Sequence, residues 1–407
     1  MNVTAESRLS RRDFLSVAGA GALGLRAMRS CAPGAAAGGG AGSGDLVVYV
    51  GTYTTGERSD GIYALRMARD SGALHGLAAA AATENPSFLA AAASGRALYA
   101  VNEVGESGGQ PTGGVSAFAR DPTTGALTLL GRRASAGANP CYLTLDRSGR
   151  HLLVANYTGG SVAVLPVLAD GGVGDATDVV QHVGRGADPK RQSAPHAHCI
   201  VPDPANRFVL VADLGLDRVL VYRFDGRAGT LSPAPVTHGA LAPGAGPRHL
   251  VFHPGGRAVY VANELDSTIT AFRYDPAAGS LVALQTIPTL AAPSAERNAP
   301  ADVHVHPSSR FLYLSNRGAD SIAAFAIDPA SALLRPIQHL STEGAWPRNF
   351  ALDPSGRFLL VANQRSDAVV VLRVDVDSGR LAPTGQRIGV PAPSCIRFVD
   401  EAGGAWR

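Results

Sequence analysis

The chain has few charged residues, and beyond its first 44 residues it has no excess of either sign. Charged residues make up 17% of the 407 positions, and the formal net charge is +3. Residues 1–44 hold five arginines against Glu6 and Asp13, so the remainder is neutral, and its single lysine is Lys190. Binding to a nucleic-acid backbone needs clustered positive charge. We therefore expect no nucleic-acid partner.

Cysteines and long apolar runs are also scarce. Outside the N-terminal segment the chain has three cysteines, Cys141, Cys199 and Cys395. An odd number at such wide spacing excludes a disulfide framework. The apolar run from Leu15 to Leu25 is shorter than the roughly 20 residues of a membrane-spanning helix. With 45% hydrophobic residues, the sequence predicts a globular chain with a sizeable core and no stable membrane span.

The N-terminal segment resembles an export signal. Arg11 and Arg12 precede the short apolar run, and an Ala/Gly-rich tract over residues 35–44 follows it. This order is typical of a twin-arginine signal. Lipidation at Cys31 is an alternative, which Arg29 disfavours because such signals want a small or apolar residue there. We predict a signal and linker over residues 1–44 and a periplasmic or extracellular protein.

The rest of the chain is a repeat. Its 48 glycines and 27 prolines are spread along its length, which indicates many short elements and turns. One sequence pattern recurs: a strand, a Gly/Arg turn, and a second strand that ends in Val-Ala-Asn or a variant. A third strand with alternating hydrophobicity and a weaker fourth strand follow. The residues that end the second strand, called anchors below, are Asn102, Asn156, Asp213, Asn263, Asn316 and Asn363, 47 to 57 residues apart. Four antiparallel strands per repeat are typical of a propeller blade.

The two ends of the repeat region complement each other. Leu46–Thr52 reads as the second strand of a blade that lacks its first strand, and residues 393–398 read as a first strand with nothing after it. A multi-sheet sandwich or two separate β-domains would not produce this offset. The sequence therefore predicts an all-β, seven-bladed β-propeller over residues 45–407, closed by a C-terminal innermost strand that completes the N-terminal blade.

Strand pairing predicts where a site lies. The start of strand one lies beside the end of strand two, so the residues at both positions gather at one mouth of the central channel. Six charged residues fall there: Arg248, Arg317, Arg348, Glu103, Glu264 and Asp302. Such convergence predicts a binding or catalytic site. A purely structural Arg248–Glu264 ion pair is an alternative, and the repeated anchor asparagines are expected to brace turns.

Other chemistries have weaker support. The His-x-His pairs His196/His198 and His304/His306 each point to one strand face and raise the possibility of a metal, but no third ligand has a fixed spacing. A serine nucleophile has no G-x-S-x-G elbow to support it. We therefore expect neither a metal nor another cofactor.

The chain resembles the seven-bladed propeller lactonase family, which includes the bacterial propeller-type 6-phosphogluconolactonases and the fungal carboxy-cis,cis-muconate cyclase. The resemblance rests on VGTYT at 50–54, APHAH at 194–198, GPRH at 246–249, ANEL at 262–265 and WPRN at 346–349. It implies a metal-free catalytic site at His198, Arg248, Glu264 and Arg317. We predict substrate-binding roles for His196, His249, Asp302, Arg348, Gln364 and Glu103. Asp302 departs from the glutamate that members commonly carry.

Hydrolysis of a lactone needs a base that activates water and a positive group at the carbonyl oxygen. Glu264 and Arg248 suit these roles, with His198 as an alternative base, and the other arginines would hold a carboxylate or phosphate of the substrate. Export favours an unphosphorylated sugar lactone or a carboxylated lactone, because 6-phosphogluconolactone is a cytosolic metabolite. The alternative from another class is a non-catalytic extracytoplasmic propeller that binds a glycan or a protein.

Overall fold

The fold is taken from a computed structural model. It describes residues 44–56, 59–107, 109–293 and 297–399. The predicted export signal with Cys31 lies outside the described residues, apart from Gly44, as do residues 400–407. The domain boundary therefore stays a prediction. In the described part of the chain, no helix has the length and apolar character needed to cross a membrane.

The described residues form 28 strands and one short 3-10 helix, Gln364–Ser366. The strands of the first half are β1 (Leu46–Thr52), β2 (Gly61–Met67), β3 (Leu74–Ala82), β4 (Leu89–Ala91), β5 (Ala97–Asn102), β6 (Gly114–Arg120), β7 (Leu127–Ala134), β8 (Pro140–Leu145), β9 (His151–Asn156), β10 (Ser161–Pro166), β11 (Asp178–Gln181), β12 (Ala197–Pro202), β13 (Phe208–Asp213) and β14 (Arg218–Asp225). Those of the second half are β15 (Thr230–Ala240), β16 (Pro247–Phe252), β17 (Ala258–Asn263), β18 (Thr268–Asp275), β19 (Ser280–Pro288), β20 (Ala299–Val305), β21 (Phe311–Arg317), β22 (Ser321–Ile327), β23 (Leu334–Ser341), β24 (Pro347–Leu352), β25 (Phe358–Asn363), β26 (Ala368–Val374), β27 (Leu381–Gly389) and β28 (Pro393–Val399).

These strands form seven four-stranded antiparallel sheets. Six sheets use four consecutive strands each, from β4–β7 to β24–β27, and the seventh has the order β28-β1-β2-β3. In this composite sheet Val48 lies opposite Phe398, and Val50 lies opposite Ile396. The prediction of a seven-bladed propeller closed by a C-terminal strand is therefore confirmed.

The first strand of each blade faces the channel. The inner strands β4, β8, β12, β16, β20, β24 and β28 each contact the inner strand of the next blade, and β28 contacts β4 to complete the ring. In each inner hairpin the start of strand one pairs with the end of strand two, as in Pro247 with Asn263 and Pro347 with Asn363. The open ends of all these hairpins, where strand one begins and strand two ends, therefore lie at the same mouth of the channel.

The hydrophobic core lies between neighbouring blades. On β1, Val47 and Tyr49 pack into one cluster with the blade of β4–β7, whereas Leu46, Val48 and Val50 pack into another with the blade of β24–β27. Alternation along a strand sends successive side chains to opposite faces of a sheet. Each blade is thus buried on both faces.

The anchor asparagines hold the blades at the mouth. Asn316 Nδ2 donates to Thr289 O at 2.9 Å, and Asn363 Nδ2 donates to Thr342 O at 2.9 Å. Asn102 and Asn156 make equivalent bonds to backbone carbonyls. The expectation that these residues brace turns is confirmed.

Candidate active site

β-Bulges turn the site residues of the inner strands toward the channel. In β16, Pro247 pairs with Asn263 and His249 pairs with Ala262, so Arg248 is an extra residue without a partner. The same irregularity occurs in the blades of β8, β12, β24 and β28, at Cys141, His198, Arg348 and Ser394. An extra residue re-aims its side chain. Both Arg248 and His249 line one cavity as a result, although successive residues of a regular strand face opposite ways.

Glu264 lies at the centre of a buried arginine cluster. It follows β17 directly, and it is 6% exposed. Its Oε2 lies 2.6 Å from Arg317 Nη2 and 3.1 Å from Arg248 Nε, and its Oε1 accepts from Arg191 Nη2 at 2.7 Å. The Arg248 contact is an ion pair without hydrogen-bond geometry, because its Nε has no hydrogen-bond partner. Both oxygens of the carboxylate are therefore occupied by guanidinium groups.

The charged groups of this cluster shift one another's pKa values. Burial alone would raise the pKa of Glu264, but Arg317, Arg248 and Arg191 outweigh it and hold the pKa well below its usual range. Burial lowers the pKa of Arg317 to about 9, and Arg248 and Arg348 add to this effect against the attraction of Glu264. At neutral pH the carboxylate is ionised and Arg317 remains charged. The mouth thus carries a fixed, mostly positive group of charges.

Arg191 is a member of this cluster that the sequence did not reveal. It lies in the loop between β11 and β12, where Asp188 Oδ1 accepts from the backbone N–H groups of Lys190 and Arg191. The buried Gln192 fastens the loop, donating to Leu214 O at 2.7 Å. The only sequence signal was the interval between Asn156 and Asp213, which at 57 residues is the longest between anchors.

A second polar group surrounds Asp302. Its Oδ1 lies 2.8 Å from His249 Nδ1 and its Oδ2 lies 3.0 Å from His304 Nε2, and it also accepts from Asn349 Nδ2 and, at 3.3 Å, from the backbone N–H of Phe350. Asp302 is 4% exposed. One oxygen of the carboxylate is thus turned toward His249 and the other toward His304. The predicted contact of Asp302 with substrate stays a prediction.

His198 lies between this group and the mouth. Its ring makes edge contacts with Tyr157 at 5.4 Å and with His249 at 5.3 Å between centroids, and its Nδ1 lies 3.6 Å from Cys141 Sγ. Burial, followed by the charge of Arg248, lowers the pKa of His198 well below its usual value, so the ring is neutral. The predicted His196 stacks on Tyr157 with centroids 4.5 Å apart.

The remaining predicted residues gather around Tyr53. Tyr53 donates to Glu103 Oε2 at 2.7 Å, and the guanidinium of Arg348 lies over the Tyr53 ring, 5.2 Å from its centroid. Burial lowers the pKa of Arg348, but electrostatic interaction with the Tyr53 hydroxyl and with Glu103 more than offsets it and raises that pKa. Gln364 and Tyr53 line an open pocket of about 540 Å³. This volume lies within the range of small-molecule sites.

The two His-x-His pairs do not come together as ligand sets. His304 bonds to Asp302, whereas His306 Nε2 lies 3.0 Å from the carbonyl oxygen of Gly356. Among the described residues, no group of three His, Cys, Asp or Glu side chains is placed to hold a metal ion.

Fold and site together define a seven-bladed propeller with a polar channel mouth, built from arginines, histidines and one central glutamate. The chain matches the family described as "Lactonase, 7-bladed beta-propeller" over residues 47–398. It belongs to that family.

Similar proteins cover nearly the whole propeller. A 6-phosphogluconolactonase of Bacillus subtilis is 35% identical over 353 residues, which is 87% of this chain and 98% of that protein. Among solved structures, a periplasmic gluconolactonase of Pseudomonas aeruginosa is 37% identical with a TM-score of 0.82, covering 88% of this chain and 99% of that one. A putative 6-phosphogluconolactonase of Bacteroides fragilis is 35% identical, with the same TM-score and the same coverage of both chains.

Proposed function

We propose that the protein hydrolyses a sugar-type or carboxylated lactone at the channel mouth, without a metal ion. The observation that carries this proposal is the pair of guanidinium groups of Arg248 and Arg317, both held by Glu264, with Arg248 beside the neutral histidines His198 and His249. The 540 Å³ pocket beside Tyr53 and Gln364 offers room for a lactone ring with its substituents. The names of the relatives support the same reaction.

Arg248 and Arg317 would stabilise the charge that develops on the carbonyl oxygen. Fixed positive groups in a site shielded from water act strongly on such a charge, and they need no reorganisation during the reaction. Both arginines are nearly inaccessible to solvent, at 2% and 5% exposed. Glu264 holds them in place.

Glu264 suits this holding role better than the role of base that its chemistry first suggested. Both oxygens of its carboxylate are bound by guanidinium groups, so neither is directed at a water molecule. General-base catalysis needs an acceptor that can reach the proton it takes up. The neutral imidazoles of His198 and His249 are the alternative acceptors at the mouth.

The residues around Tyr53 would bind the rest of the substrate. Arg348 offers a guanidinium group for a carboxylate or phosphate, the chemistry for which the planar fork of arginine is suited. Gln364 has a buried Oε1 without a hydrogen-bond partner in the described part of the chain. Glu103 and His196 complete the polar rim.

We propose that the protein is exported by the twin-arginine signal over residues 1–44 and acts outside the cytoplasm. The similar gluconolactonase of Pseudomonas aeruginosa is named as periplasmic, which agrees with this location. An unphosphorylated sugar lactone then becomes the preferred substrate.

The test is a lactone panel on the purified full chain. Glucono-1,5-lactone, 6-phosphoglucono-1,5-lactone and a carboxylated γ-lactone would be followed by acid release, with the uncatalysed rate subtracted and with EDTA in a parallel series. We expect turnover of at least one lactone, unchanged by EDTA and abolished in Arg248→Ala. If no lactone is opened, the glycan- or protein-binding alternative takes its place. If EDTA stops turnover, metal independence is wrong.

A further inference from the structure

A water-sized cavity lies inside the channel next to the arginine cluster. Its volume is about 10 Å³, and its lining includes Arg248, His249, Arg348, Ser87 and Ser394. A volume of about 10–15 Å³ holds one water molecule when two to four polar partners are present. This lining supplies them. The cavity is therefore a suitable place for a single, well-held water.

The partners of His249 fix which of its ring nitrogens carries the proton. Nδ1 lies 2.8 Å from Asp302 Oδ1, and Nε2 lies 3.1 Å from Arg248 Nη1. An ionised carboxylate only accepts hydrogen bonds and a guanidinium only donates them. Nδ1 must therefore carry the hydrogen, and Nε2 must carry the lone pair.

The environment keeps His249 in this neutral form. Burial, followed by the charge of Arg248, lowers the pKa of His249 to about 3, against the opposing effect of Asp302. Asp302 is itself held by His304 and Asn349, so its orientation toward His249 is fixed. The ring presents its acceptor nitrogen beside a cavity-lining arginine.

We infer that His249 is the catalytic base of the proposed lactone hydrolysis, acting on a water in this cavity, and that Asp302 is the positioning residue that sets its tautomer. The inference rests on the proposed function. It assigns His249 a part in the reaction itself, beyond the substrate contact that the sequence predicted.

The water oxygen bonds to the carbonyl carbon of the lactone, and a water proton passes to His249 Nε2 as Arg248 Nη1 releases this nitrogen. The guanidinium groups of Arg248 and Arg317, held by Glu264, stabilise the charge on the carbonyl oxygen. The tetrahedral intermediate then collapses with cleavage of the ring C–O bond. The departing alkoxide takes the proton back from the imidazolium, so one lactone and one water give one hydroxy acid. Asp302 stabilises the imidazolium between these two transfers.

Two other candidates for the base fit the structure less well. Both oxygens of Glu264 are occupied by arginines. His198 directs Nδ1 toward Cys141, and it has no carboxylate to orient its ring among the hydrogen bonds of the described residues. His249 combines an orienting carboxylate with a place on the cavity wall.

The discriminating variant is His249→Gln. A glutamine side chain can donate to Asp302 and accept from Arg248, so it retains both positioning contacts, but it cannot take up a proton. We expect kcat to fall by about 10²- to 10⁴-fold, with KM within about threefold of the native value. If His249 only positions Arg248, the variant keeps its turnover, and a kcat within threefold of native in a folded protein overturns the inference.

Asp302→Asn tests the positioning role with a matched control. The amide of the asparagine can donate to His249 Nδ1, which would force the ring proton onto Nε2. We expect a loss of kcat comparable to that of His249→Gln. His304→Gln is the control, since glutamine still donates to the other oxygen of Asp302. It should keep kcat within a few-fold of native.

The tautomer can be measured without turnover. In protein labelled with ¹⁵N-histidine, long-range ¹H–¹⁵N correlation spectra should show His249, identified by its disappearance in His249→Gln, protonated at Nδ1. In Asp302→Asn it should switch to Nε2. A native His249 protonated at Nε2 overturns the inference whatever the activity. If the native protein opens no lactone, the proposed function fails and this inference fails with it, whereas turnover that survives His249→Gln refutes the inference alone.

Discussion

Replacing Glu264 with glutamine removes the negative charge that three arginines share. Arg191, Arg248 and Arg317 would then face one another without their common counter-ion, and two of them are almost fully buried. Removing one partner of a buried ion pair is strongly destabilising, because it leaves an uncompensated charge in a medium that solvates it poorly. We expect both stability and turnover to fall.

The size of the stability loss follows from burial. Breaking a buried pair costs about 3–5 kcal/mol. With an unfolding entropy of about 2.1 cal/mol/K per residue, a cooperative unit from Leu46 to Val399 loses roughly 1.3 °C of Tm per kcal/mol. The variant should therefore melt about 4–7 °C below the native protein. Because Arg248 and Arg317 would no longer be held at the carbonyl oxygen, kcat should fall about 10²- to 10³-fold.

The pH dependence of stability provides a separate test for the charge of Glu264. The pKa of Glu264 in the folded protein is lowered below the unfolded value of about 4.3. A depressed carboxylate pKa contributes stability that is fully present above the unfolded pKa and is lost as the pH falls toward the folded pKa. The difference in Tm between native protein and variant should stay constant from about pH 8 to pH 5 and narrow only below about pH 4.

The assay combines calorimetric melting with lactone turnover on the same preparations. Glu343→Gln is the matched control, because Glu343 is exposed and the same substitution there should change neither quantity. If Glu264→Gln melts within about 1 °C of native and keeps full kcat, the carboxylate does not organise the arginines. A loss of Tm with full turnover would make the cluster structural and place catalysis elsewhere.

Three further predictions concern the closure of the ring and export. Deleting residues 393–407 should remove β28, expose the edge of β1 and cause aggregation or loss of a cooperative melt; a soluble variant with native melting would contradict the closure. Ile396→Ala, at a fully buried position opposite Val50, should cost about 2–5 kcal/mol in urea unfolding, and a cost under about 1 kcal/mol would show that the closing strand packs loosely. Changing Arg11 and Arg12 to lysine should retain the protein in the cytoplasm on cell fractionation, and unchanged export would mean another route.

The fold could be predicted from the sequence because the chain consists of repeats. Four of the anchor asparagines make the same kind of hydrogen bond, from Nδ2 to a backbone carbonyl oxygen at the channel mouth. Asn263 instead donates to Thr268 and Thr270. The third alternating strand expected in each repeat is present, as in β26. Closure was predictable because Leu46–Thr52 and residues 393–398 are each half of a hairpin, and each half keeps its own alternating pattern.

The site could be predicted only in part, because strand pairing fixes the positions of some of its residues and not of others. The positions at or just after the end of strand two, such as Arg317 and Glu264, were expected at the mouth because pairing fixes the ends of hairpins, and the structure brings these two side chains into contact. The bulge at Arg248 was not visible, since nothing in GPRH distinguishes an extra residue from a regular one. Arg191 reaches Glu264 through the shape of a loop, and loop shape depends on contacts such as Gln192 with Leu214 that no periodicity encodes.

The closing strand and the arginine cluster are joined by one chain of contacts, so closure bears on chemistry as well as stability. Ile396 of β28 donates its backbone N–H to Asn349 Oδ1 at 2.7 Å, and Asn349 in turn donates to Asp302. From Asp302 the chain continues through His249 to Arg248, which reaches Glu264. A blade that closes out of register would shift the amide of Asn349, and with it the orientation of Asp302 and His249. We therefore expect the proposed activity at the mouth to depend on the correct closure of the ring.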